Sequence, residues 1–588
     1  MAKRRKVDHL YVAPDFEPDR DIPPMRVLVL RPSESLVMDE IAKGLLAAGH
    51  QVMSLVYDMQ GAFQSYPEMA GSAGDAADRV LKFGPHFVLC NNGQGMDANH
   101  IILGLAEAEG IPVVTWFADS PTGWLKETLP PEMGRSLIVT YDQEHIARIR
   151  DMGYAHVEHL PLAVNPPVFP EPPEGHEPAI PLGYVGRLFS SMELGVEKPL
   201  EINLRKIYPA ESSDPEKVLA TIEEGIQHFS GLHVPDVSVA EWAEKRLQEL
   251  LDQADPIFRP SPPKTALINY IVALIGHCAS GATRRKLASR LEPLGLEAWG
   301  NPAWREIMAD ERCHEWVHYE NLAAVYHRCA VNLSVSHRQN IGSVTLRLFD
   351  IPASGSFLLS DWRPCMADLF EPGEELIVFH STEEACELAE KYSKDRDSRR
   401  KVVRAARQRV LAEHTYVYRI ESLSRMLLER WPDLAERPRR RRKVIPHSPP
   451  EWSDKLMSNL AAELVFCGKP KSAGPLIEAL DESDKPVVHR KLIDATEAFR
   501  NGKYEESLEK AQSAMEEGLD SATVWIIAGL AARLCRSRRE ALAFFLEAAK
   551  RRPYSPRFWI DSAEIFIDLG DWGRAKAAIM QALEADPN

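Results

Sequence analysis

Two stretches of the chain alternate short apolar runs with segments of helical spacing, and this alternation limits the possible folds more than any other feature. In residues 25–170, strands are predicted at "MRVLVL", "QVMSLVYD", "HFVLCNN", "IPVVTWFAD" and "SLIVTYD". Strands that are apolar throughout are typical of a parallel sheet covered by helices on both faces. A second unit of the same kind begins at "LGYVGR", after the proline-rich segment "NPPVFPEPPEGHEPAIP". The sequence therefore predicts an α/β chain with two units, each built on a parallel sheet.

Changes in composition place the domain boundaries. The second unit contains a helical, proline-punctuated insertion at about 192–280, and its later strands are predicted at "LEAWG", "EWVHYE", "VNLSVS", "SFLLSD" and "LIVFHS". Two such units joined by a proline-rich hinge form a cleft, and open α/β sheets bind ligands at the carboxyl ends of their strands. The predicted divisions are a tail (1–24), a first Rossmann-like domain (25–170), a second (171–400), closing helices (401–435), a basic, proline-containing linker (436–450) and a helical region (451–588).

The helical region has the spacing of tetratricopeptide repeats. Its anchors are Trp525, Gly529, Ala541, Phe545 and Pro553, and they recur as Trp559, Ala563, Ala575, Ile579 and Pro587. A weaker preceding copy covers 491–519. Such arrays bind a peptide or protein on their concave face. The alternative is a structural role, as a dimer contact or a lid on the second domain.

Charge and cysteine content exclude several functional classes. The net charge of −16 argues against general nucleic-acid binding, and the local runs "AKRRK" and "RPRRRRK" are interpreted as a solvated tail and linker. A docking site for an acidic partner is the alternative for these runs. The eight cysteines form no CxxC pair, which favours reduced thiols in a cytoplasmic protein. The longest apolar run, "ALINYIVALIGHCA", is too short for a membrane span.

The segment "SHRQNIGSVTLRLFDIPASG" carries the strongest candidate site. A helix is predicted to begin at Gly342 and Ser343, where free backbone N–H groups would bind a phosphate. Arg347 and Asp350 are three residues apart and share one helical face. The arginine could bind a phosphate through two hydrogen bonds, and the carboxylate could accept from two sugar hydroxyls. A salt bridge on a solvated face is the alternative interpretation.

A family resemblance agrees with this interpretation. "LRLFDIPASGSFLLSDWRPCMADLFEPGEE" resembles the CgeB-like bacterial glycosyltransferases of the GT-B fold, and "LLAAGHQV", "VVTWFADSP" and "LPLAVNP" resemble the DUF3880 domain found with them. The resemblance covers about 25–430 apart from the insertion. It implies a nucleotide-diphosphate sugar on the second domain and an acceptor on the first. Related enzymes carry two acidic residues eight apart; here the second is Asp350, and Gly342 replaces the first.

The resemblance also suggests further donor contacts in the second domain. Arg187 in "GYVGRLF" resembles the basic residue that faces the diphosphate, with a surface arginine as the alternative. Tyr319 and Glu320 fall where the base or ribose would lie, although Glu320 could equally be a helix-start carboxylate. His337 and Arg338 flank the phosphate end and could neutralise the leaving diphosphate; for the histidine, a structural role is the alternative.

Candidate acceptor-side residues follow two strands of the first domain. Asp119 ends the strand of "WFADSP" and could act as general base or orient a cation in the transition state, with a helix N-cap as the alternative. Asn91 and Asn92 of "CNNGQG" could hydrogen-bond acceptor hydroxyls. No metal-binding motif follows a strand at the expected place. GT-B enzymes generally stabilise the leaving nucleoside diphosphate with a helix end and basic side chains, so neither a metal nor a cofactor is expected.

These observations predict a cytoplasmic, metal-independent glycosyltransferase that moves a sugar from a nucleotide donor to an acceptor hydroxyl. The repeats suggest a protein acceptor, for which flagellin is one candidate by resemblance. No nucleic acid and no membrane span are expected, and a membrane-lipid acceptor is less favoured than a protein. One alternative is a catalytically degenerate GT-B scaffold that serves as a protein-interaction module, which the glycine at position 342 favours. Another alternative is a nucleotide-sugar epimerase of the same fold.

Overall fold

The computed structural model contains two parallel sheets of six strands each, followed by a helical region. The predicted fold class is confirmed: two Rossmann-like domains in the GT-B arrangement, with an additional helical domain. The structure describes residues 21–32, 35–57, 79–93, 101–119, 121, 125, 129, 131–188, 214–252, 264–338, 341–436, 450–466, 470–481, 486–551, 562–567 and 570–585.

The first sheet has the strand order β2-β1-β3-β4-β5-β6, and every neighbouring pair is parallel. The order changes direction between β1 and β3, so a crevice opens at the carboxyl ends of these strands. The strands are β1 (Arg26–Pro32), β2 (Gln51–Tyr57), β3 (Phe87–Asn91), β4 (Val113–Phe117), β5 (Ser136–Thr140) and β6 (Val157–His159).

Successive side chains of each strand point to opposite faces of this sheet, and both faces are buried. Val27 and Val29 of β1 lie in one core with helix α1 (Leu36–Ala47). Leu28 and Leu30 lie in a second core with α2 (Ile101–Glu109). Because both faces are covered, the strands have no polar face, and this explains why they read as continuous apolar runs. A further helix of this domain is α3 (His145–Asp151).

The second sheet has the order β12-β11-β10-β7-β8-β9, again with every neighbouring pair parallel. Its strands are β7 (Ile180–Val185), β8 (Leu296–Trp299), β9 (Cys313–His314), β10 (Cys329–Ser334), β11 (Leu358–Asp361) and β12 (Ile377–Phe379). The strand predicted at "EWVHYE" is wrong, because β9 ends at His314 and a 3-10 turn forms at Tyr319–Asn321. The chain leaves the sheet at its edge, where Trp316 is 57% exposed.

The helical insertion comprises α4 (Asp214–Phe229), α5 (Val239–Asp252) and α6 (Lys264–Leu291). The predicted end of the insertion at 280 falls inside α6, and a 3-10 turn (Glu292–Leu294) connects this helix to β8. Residues of this helix belong to two hydrophobic cores. Its first half buries Ile271 and Ile275 among the insertion helices, and its second half buries Leu287 and Leu291 against the second sheet. The insertion is therefore anchored to the second domain by one continuous helix.

Two helices close the second domain and return the chain to the first. After α7 (Leu322–Arg328), α8 (Arg347–Ala353) and α9 (Thr382–Lys394), α10 (Arg396–Glu413) packs against α8, and α11 (Tyr416–Arg430) packs on α1 of the first domain. The predicted boundary at 400 falls inside α10. Gly44 allows a close approach of α1 and α11, since a Cβ there would lie 2.7 Å from Tyr416 Cβ.

The two segments that cross between the domains are bonded to each other. The backbone N–H of Val164 donates to His414 O (3.2 Å), and that of Tyr416 donates to Val164 O (3.0 Å). The buried guanidinium of Arg419 donates to Pro161 O (3.0 Å) and to Glu413 O (2.9 Å). Both crossings therefore meet at one point, where hydrogen bonds tie the two connecting segments together.

The C-terminal helical region packs directly on the first domain. Ser453 donates to Glu107 of α2 (3.0 Å), and a Cβ on Gly104 would lie only 2.5 Å from Leu456 O. The helices are α12 (Pro450–Phe466), α13 (Pro470–Asp481), α14 (Pro486–Arg500), α15 (Tyr504–Glu516), α16 (Ala522–Cys535), α17 (Arg538–Arg551), α18 (562–567) and α19 (Trp572–Ala585). Among the helices described, none has the length and apolar content that crossing a bilayer requires.

Several predicted repeat anchors pack together. Phe545 is 1% exposed and lies against Gly529, where a Cβ would meet its ring at 2.8 Å. Ala541, Ala563 and Ala575 are buried in the same core. Ile579, by contrast, is 42% exposed, and the anchors Pro553, Trp559 and Pro587 lie outside the described residues. The assignment to tetratricopeptide repeats stays a prediction.

Candidate functional site

The carboxyl edges of the two sheets meet at Asp142. This residue follows β5 of the first sheet and is 1% exposed. Its carboxylate accepts hydrogen bonds from the backbone N–H groups of Ile341 (3.2 Å) and Gly342 (3.1 Å), which follow β10 of the second sheet. The region that the sequence predicts as the site is therefore at the junction of the two domains.

The predicted helix start at Gly342 is wrong, because α8 begins at Arg347. The N–H group of Gly342 bonds instead to Asp142, and Ser343 is buried beside Tyr141. A Cβ at position 342 would lie 2.8 Å from Asp142 Oδ1. The glycine thus makes room for an acidic side chain from the other domain.

Asp350 is buried in the domain junction rather than on a solvated face. It is 1% exposed, and its Oδ1 accepts a hydrogen bond from Tyr319 Oη (2.8 Å). Arg347, one turn earlier on the same helix, is partly buried, and its positive charge favours the carboxylate. Burial nevertheless raises the pKa of Asp350 well above its ordinary value, and the negative charge of Glu40 adds to the increase.

We expect Asp350→Asn to stabilise the protein more at pH 8 than at pH 5. The pKa of Asp350 is about 4 in the unfolded chain and is higher in the folded protein. The carboxyl group therefore favours folding at a pH below about 4, and this contribution to the free energy of unfolding is lost as the pH rises through the pKa of the folded protein. Asparagine does not titrate, so the difference in melting temperature between variant and wild type should grow with pH. Thermal melts across this range measure the difference, with the exposed Asp368→Asn as control. A difference that does not change with pH would contradict the raised pKa.

A buried group of arginines surrounds the end of β11. Asp361 is 0% exposed, and its carboxylate accepts from Ser336 N (2.7 Å) and Arg338 Nη2 (3.0 Å). Arg363 Nη2 is 3.4 Å from the same carboxylate. Arg363 is also 0% exposed, and within the described part of the chain its Nε, Nη1 and Nη2 have no hydrogen-bond partner. Apart from the ion pair with Asp361, these buried donors are unsatisfied within the described residues, which is unusual for buried polar atoms.

The insertion contributes a third guanidinium. Arg284 of α6 is 5% exposed and donates to the carbonyl oxygens of Arg187 (2.9 Å) and Val335 (3.4 Å). Burial lowers the pKa of Arg284, and burial together with the charge of Arg363 lowers the pKa of Arg338 to about 10. We call Arg284, Arg338 and Arg363 the arginine cluster. It holds three positive charges against the single carboxylate of Asp361, an arrangement that an anion would stabilise.

Sequence reasoning found Arg338 and missed the other two members of the cluster. Arg363 lies two residues beyond β11, and its position after a strand at the carboxyl edge of a parallel sheet is a signal that could have identified it. Arg284 lies in the middle of a helix in the insertion, and its sequence neighbours give no such signal.

Two donor-side predictions are placed away from the cluster. The Arg187 side chain is exposed, with its guanidinium 5.7 Å from the ring centroid of Trp316, so only its carbonyl oxygen touches the cluster. Glu320 is exposed in the first turn of a 3-10 helix, which agrees with the helix-start alternative. Tyr319 bonds to Asp350 and lies edge-on to Phe169, at 5.1 Å between ring centroids.

On the first domain, Asn92 orients Asp119. Asn92 has a left-handed backbone (φ +52°), and its Nδ2 donates to Asp119 Oδ2 (2.8 Å) while its Oδ1 accepts from Ala118 N (2.9 Å). Asp119 is exposed at the carboxyl end of β4, and the segment that it would cap lies largely outside the described residues. Asn91 is 4% exposed, with its Nδ2 bonded to Trp116 O (2.7 Å), so its amide nitrogen joins two strands.

A pair of histidines lies beside the arginine cluster. His337 Nε2 is 2.9 Å from Nδ1 of His277, which lies on α6. Burial and the charge of Arg284 lower the pKa of His337 well below its ordinary value. Within the described residues, no group of three or more His, Cys, Asp or Glu side chains could hold a metal ion. Metal independence stays a prediction.

Comparisons with known proteins found one matching family model and several similar solved structures. A family model described as "Glycosyl transferase-like" matches residues 283–425. Similar solved structures include sucrose-phosphate synthase from Thermosynechococcus elongatus, at 10% identity and a TM-score of 0.41, covering 70% of this chain and 100% of that one. HepE of Anabaena, solved with UDP and glucose, has 11% identity and a TM-score of 0.36, covering 69% of this chain and 100% of that one. No curated protein matches significantly.

Proposed function

We propose that this chain transfers a sugar from a nucleoside diphosphate to an acceptor hydroxyl. The premise is that residues 283–425 form a glycosyl transferase-like domain. The observation that carries the proposal is the arginine cluster. Arg363 is fully buried with unpaired donors among the described residues, and Arg284 and Arg338 add two further charges. Guanidinium groups bind phosphate oxygens in pairs, so a diphosphate fits this charge and donor pattern.

The reaction follows from this placement. The acceptor oxygen forms a bond to the anomeric carbon while the bond from that carbon to the diphosphate oxygen breaks. Negative charge then builds up on the leaving diphosphate, and the arginine cluster stabilises it. Asp350 and Tyr319 support the ribose, and Ser343 contacts Tyr141 of the first domain. Asp119 either accepts the proton of the acceptor hydroxyl or stabilises a positive charge beside it.

The acceptor is proposed to be a protein. The helical region shares a core with the first domain, in which Leu456 and Leu460 lie with residues of the first sheet. Under the interpretation as tetratricopeptide repeats, a bound protein would be held next to the acceptor side of the cleft. Flagellin remains one candidate acceptor. A cytoplasmic location and a reaction without metal or cofactor are parts of the same proposal.

Calorimetric titration of the protein with UDP and with GDP tests the proposal. We expect one of them to bind and to raise the melting temperature, because a ligand that binds only the folded state stabilises it by mass action. Binding of neither nucleotide would contradict transfer and favour the degenerate scaffold. If a bound nucleotide-sugar were converted without release of nucleoside diphosphate, the epimerase alternative would be supported instead.

A further inference from the structure

The second domain exposes one large aromatic side chain at the carboxyl edge of its sheet. Trp316 lies two residues beyond the end of β9 and is 57% exposed. Among the described residues between 171 and 400, it is the only large hydrophobic side chain that is exposed. Single apolar side chains are common on protein surfaces, so exposure alone assigns no role to this tryptophan. Its neighbours at the same edge indicate one.

Trp316 and the arginine cluster lie at the same edge of the second sheet. Strand β9 pairs with β8, β8 with β7 and β7 with β10, and all three pairs are parallel. Trp316 therefore follows β9 at the edge where Arg187 follows β7 and Arg338 follows β10. Two strand spacings, or about 10 Å, separate the ends of β9 and β7. This is the edge at which open α/β sheets bind their ligands.

Arg187 contacts both the arginine cluster and Trp316. Its carbonyl oxygen accepts a hydrogen bond from Arg284 Nη1 (2.9 Å). Its guanidinium carbon lies 5.7 Å from the centroid of the Trp316 ring, within the range of a cation–π contact. The backbone of Arg187 is thus beside the cluster, and its exposed side chain extends along the edge to the tryptophan.

The strand end that carries Trp316 is anchored to β8. The ring of His314 stacks on Trp299 (4.5 Å between centroids), and its Nε2 is 2.7 Å from Glu297 Oε2. The backbone N–H of Gly300 donates to His314 O (3.1 Å). The exposed ring of Trp316 therefore projects from a backbone that is fixed to the sheet.

Tyr319, the other aromatic candidate for the base, is less suited to bind it. Its hydroxyl donates to Asp350 (2.8 Å), and its ring lies edge-on to Phe169 at 5.1 Å between centroids. Both the hydroxyl and the ring are therefore engaged inside the protein, whereas the Trp316 ring is exposed.

A nucleoside diphosphate has the two chemical features that this edge offers at its two positions. Its diphosphate is anionic, which matches the arginine cluster. Its base is a flat aromatic ring, which stacks on a tryptophan or on a guanidinium plane. The ribose separates the base from the diphosphate, as Arg187 separates Trp316 from the cluster.

We propose that Trp316 and Arg187 form the platform on which the base of the donor nucleotide stacks, an inference that rests on the proposed function. The diphosphate then lies on the arginine cluster, and the base lies against the exposed ring of Trp316. The Arg187 side chain contacts the base rather than the diphosphate, which differs from the role that the family resemblance implies. Stacking of this kind adds affinity without selecting one base, because every base has an aromatic face.

Calorimetric titration of Trp316→Ala with UDP and with pyrophosphate tests the proposal. Pyrophosphate carries the two phosphates but neither base nor ribose. We expect Trp316→Ala to bind UDP about 5–150-fold more weakly than wild type and to bind pyrophosphate within about twofold of wild type. If the wild type prefers GDP, GDP replaces UDP as the probe. Trp572→Ala, at a tryptophan of the helical region that is 69% exposed, is the control and should match wild type with both ligands.

Two further variants refine the test. Trp316→Phe keeps an aromatic ring, so it should lose less affinity for UDP than Trp316→Ala. Arg187→Met should weaken the binding of UDP more than that of pyrophosphate. A larger loss for pyrophosphate would return Arg187 to the diphosphate and contradict its place in the platform.

The outcomes separate this inference from the proposed function. Unchanged UDP affinity in Trp316→Ala would place the base elsewhere, and equal losses for UDP and pyrophosphate would show that Trp316 supports the structure of the site. Either result overturns the platform and leaves sugar transfer standing. A wild type that bound UDP but not pyrophosphate would contradict a diphosphate on the arginine cluster and would overturn the platform as well. If the wild type bound neither UDP nor GDP, the transferase proposal itself would fail, and the platform with it.

Discussion

Arg363→Met should weaken UDP binding by about 2–5 kcal/mol while leaving the free protein at least as stable as wild type. Removing one member of a buried, hydrogen-bonded charge pair typically costs this much, which is roughly 30-fold or more in affinity. If the site prefers guanosine, GDP takes the place of UDP as the probe. In the free protein the substitution should not lower the stability, because Arg363 is 0% exposed and lacks hydrogen-bond partners among the described residues. Methionine removes a poorly compensated charge, and Asp361 keeps Arg338 as its partner at 3.0 Å.

Calorimetry and a thermal melt on the same samples measure both quantities. The matched control is Arg400→Met, a surface arginine whose side chain is 56% exposed, and it should change neither affinity nor melting temperature. Arg363→Lys keeps the charge but loses the paired donors, so its affinity should lie between those of wild type and Arg363→Met. A lower melting temperature together with unchanged UDP affinity would show that Arg363 supports the fold rather than a ligand.

Removing the helical region should destabilise the first domain. A chain that ends at residue 445 loses the apolar side chains of α12 that complete the core around α2, including Leu456, Leu460 and Leu464. Each buried leucine contributes about 2–5 kcal/mol when compared with alanine, so their joint loss is comparable to the whole stability of a typical domain. We expect this chain to be insoluble or unfolded in its first domain, whereas a chain that ends at Gly518 retains α12–α15 and should fold.

Single substitutions give a finer test of the same interface. Leu460→Ala should lower the free energy of unfolding by about 2–5 kcal/mol, because the side chain is 0% exposed. Leu534→Ala, at a position that is 55% exposed, should change it by less than about 0.5 kcal/mol. Circular dichroism during urea unfolding measures both. A chain ending at 445 that melts like the full-length protein would show that the helical region folds as an independent appendage.

Local sequence patterns predicted most strands of the two sheets, but not the short edge strands β6 and β9 or the contacts between the domains. The apolar runs predicted five strands of the first sheet because each of these strands is largely buried. The hydrogen bond of 2.8 Å between Asn92 and Asp119, which follow two of these strands, was not predicted. The contact of Asp142 with Gly342 joins residues 200 positions apart, and no local spacing contains that information. The free helix start was predicted at Gly342 because nothing in the neighbouring residues indicates that a distant carboxylate occupies its N–H group.

The arginine cluster shows the same limit. Arg338 was found because it lies beside a motif, and Arg363 could have been found from its place after a strand. Arg284 belongs to a helix that is continuous with the insertion, and only the packing of Leu287 and Leu291 against the second sheet brings it to the junction. Residues that reach a site only through tertiary packing can be identified as site residues only when the packing is known.

The close fit of α12 on α2 has a consequence for how a protein acceptor would be modified. Because these helices share one core, the start of the helical region is fixed in place on the first domain. Under the proposal of a protein acceptor, a polypeptide bound by the helices would be held at a constant distance from the reacting hydroxyl. The protein would then work as a ruler, so that sugars would be attached at a fixed distance along the acceptor chain from the bound segment.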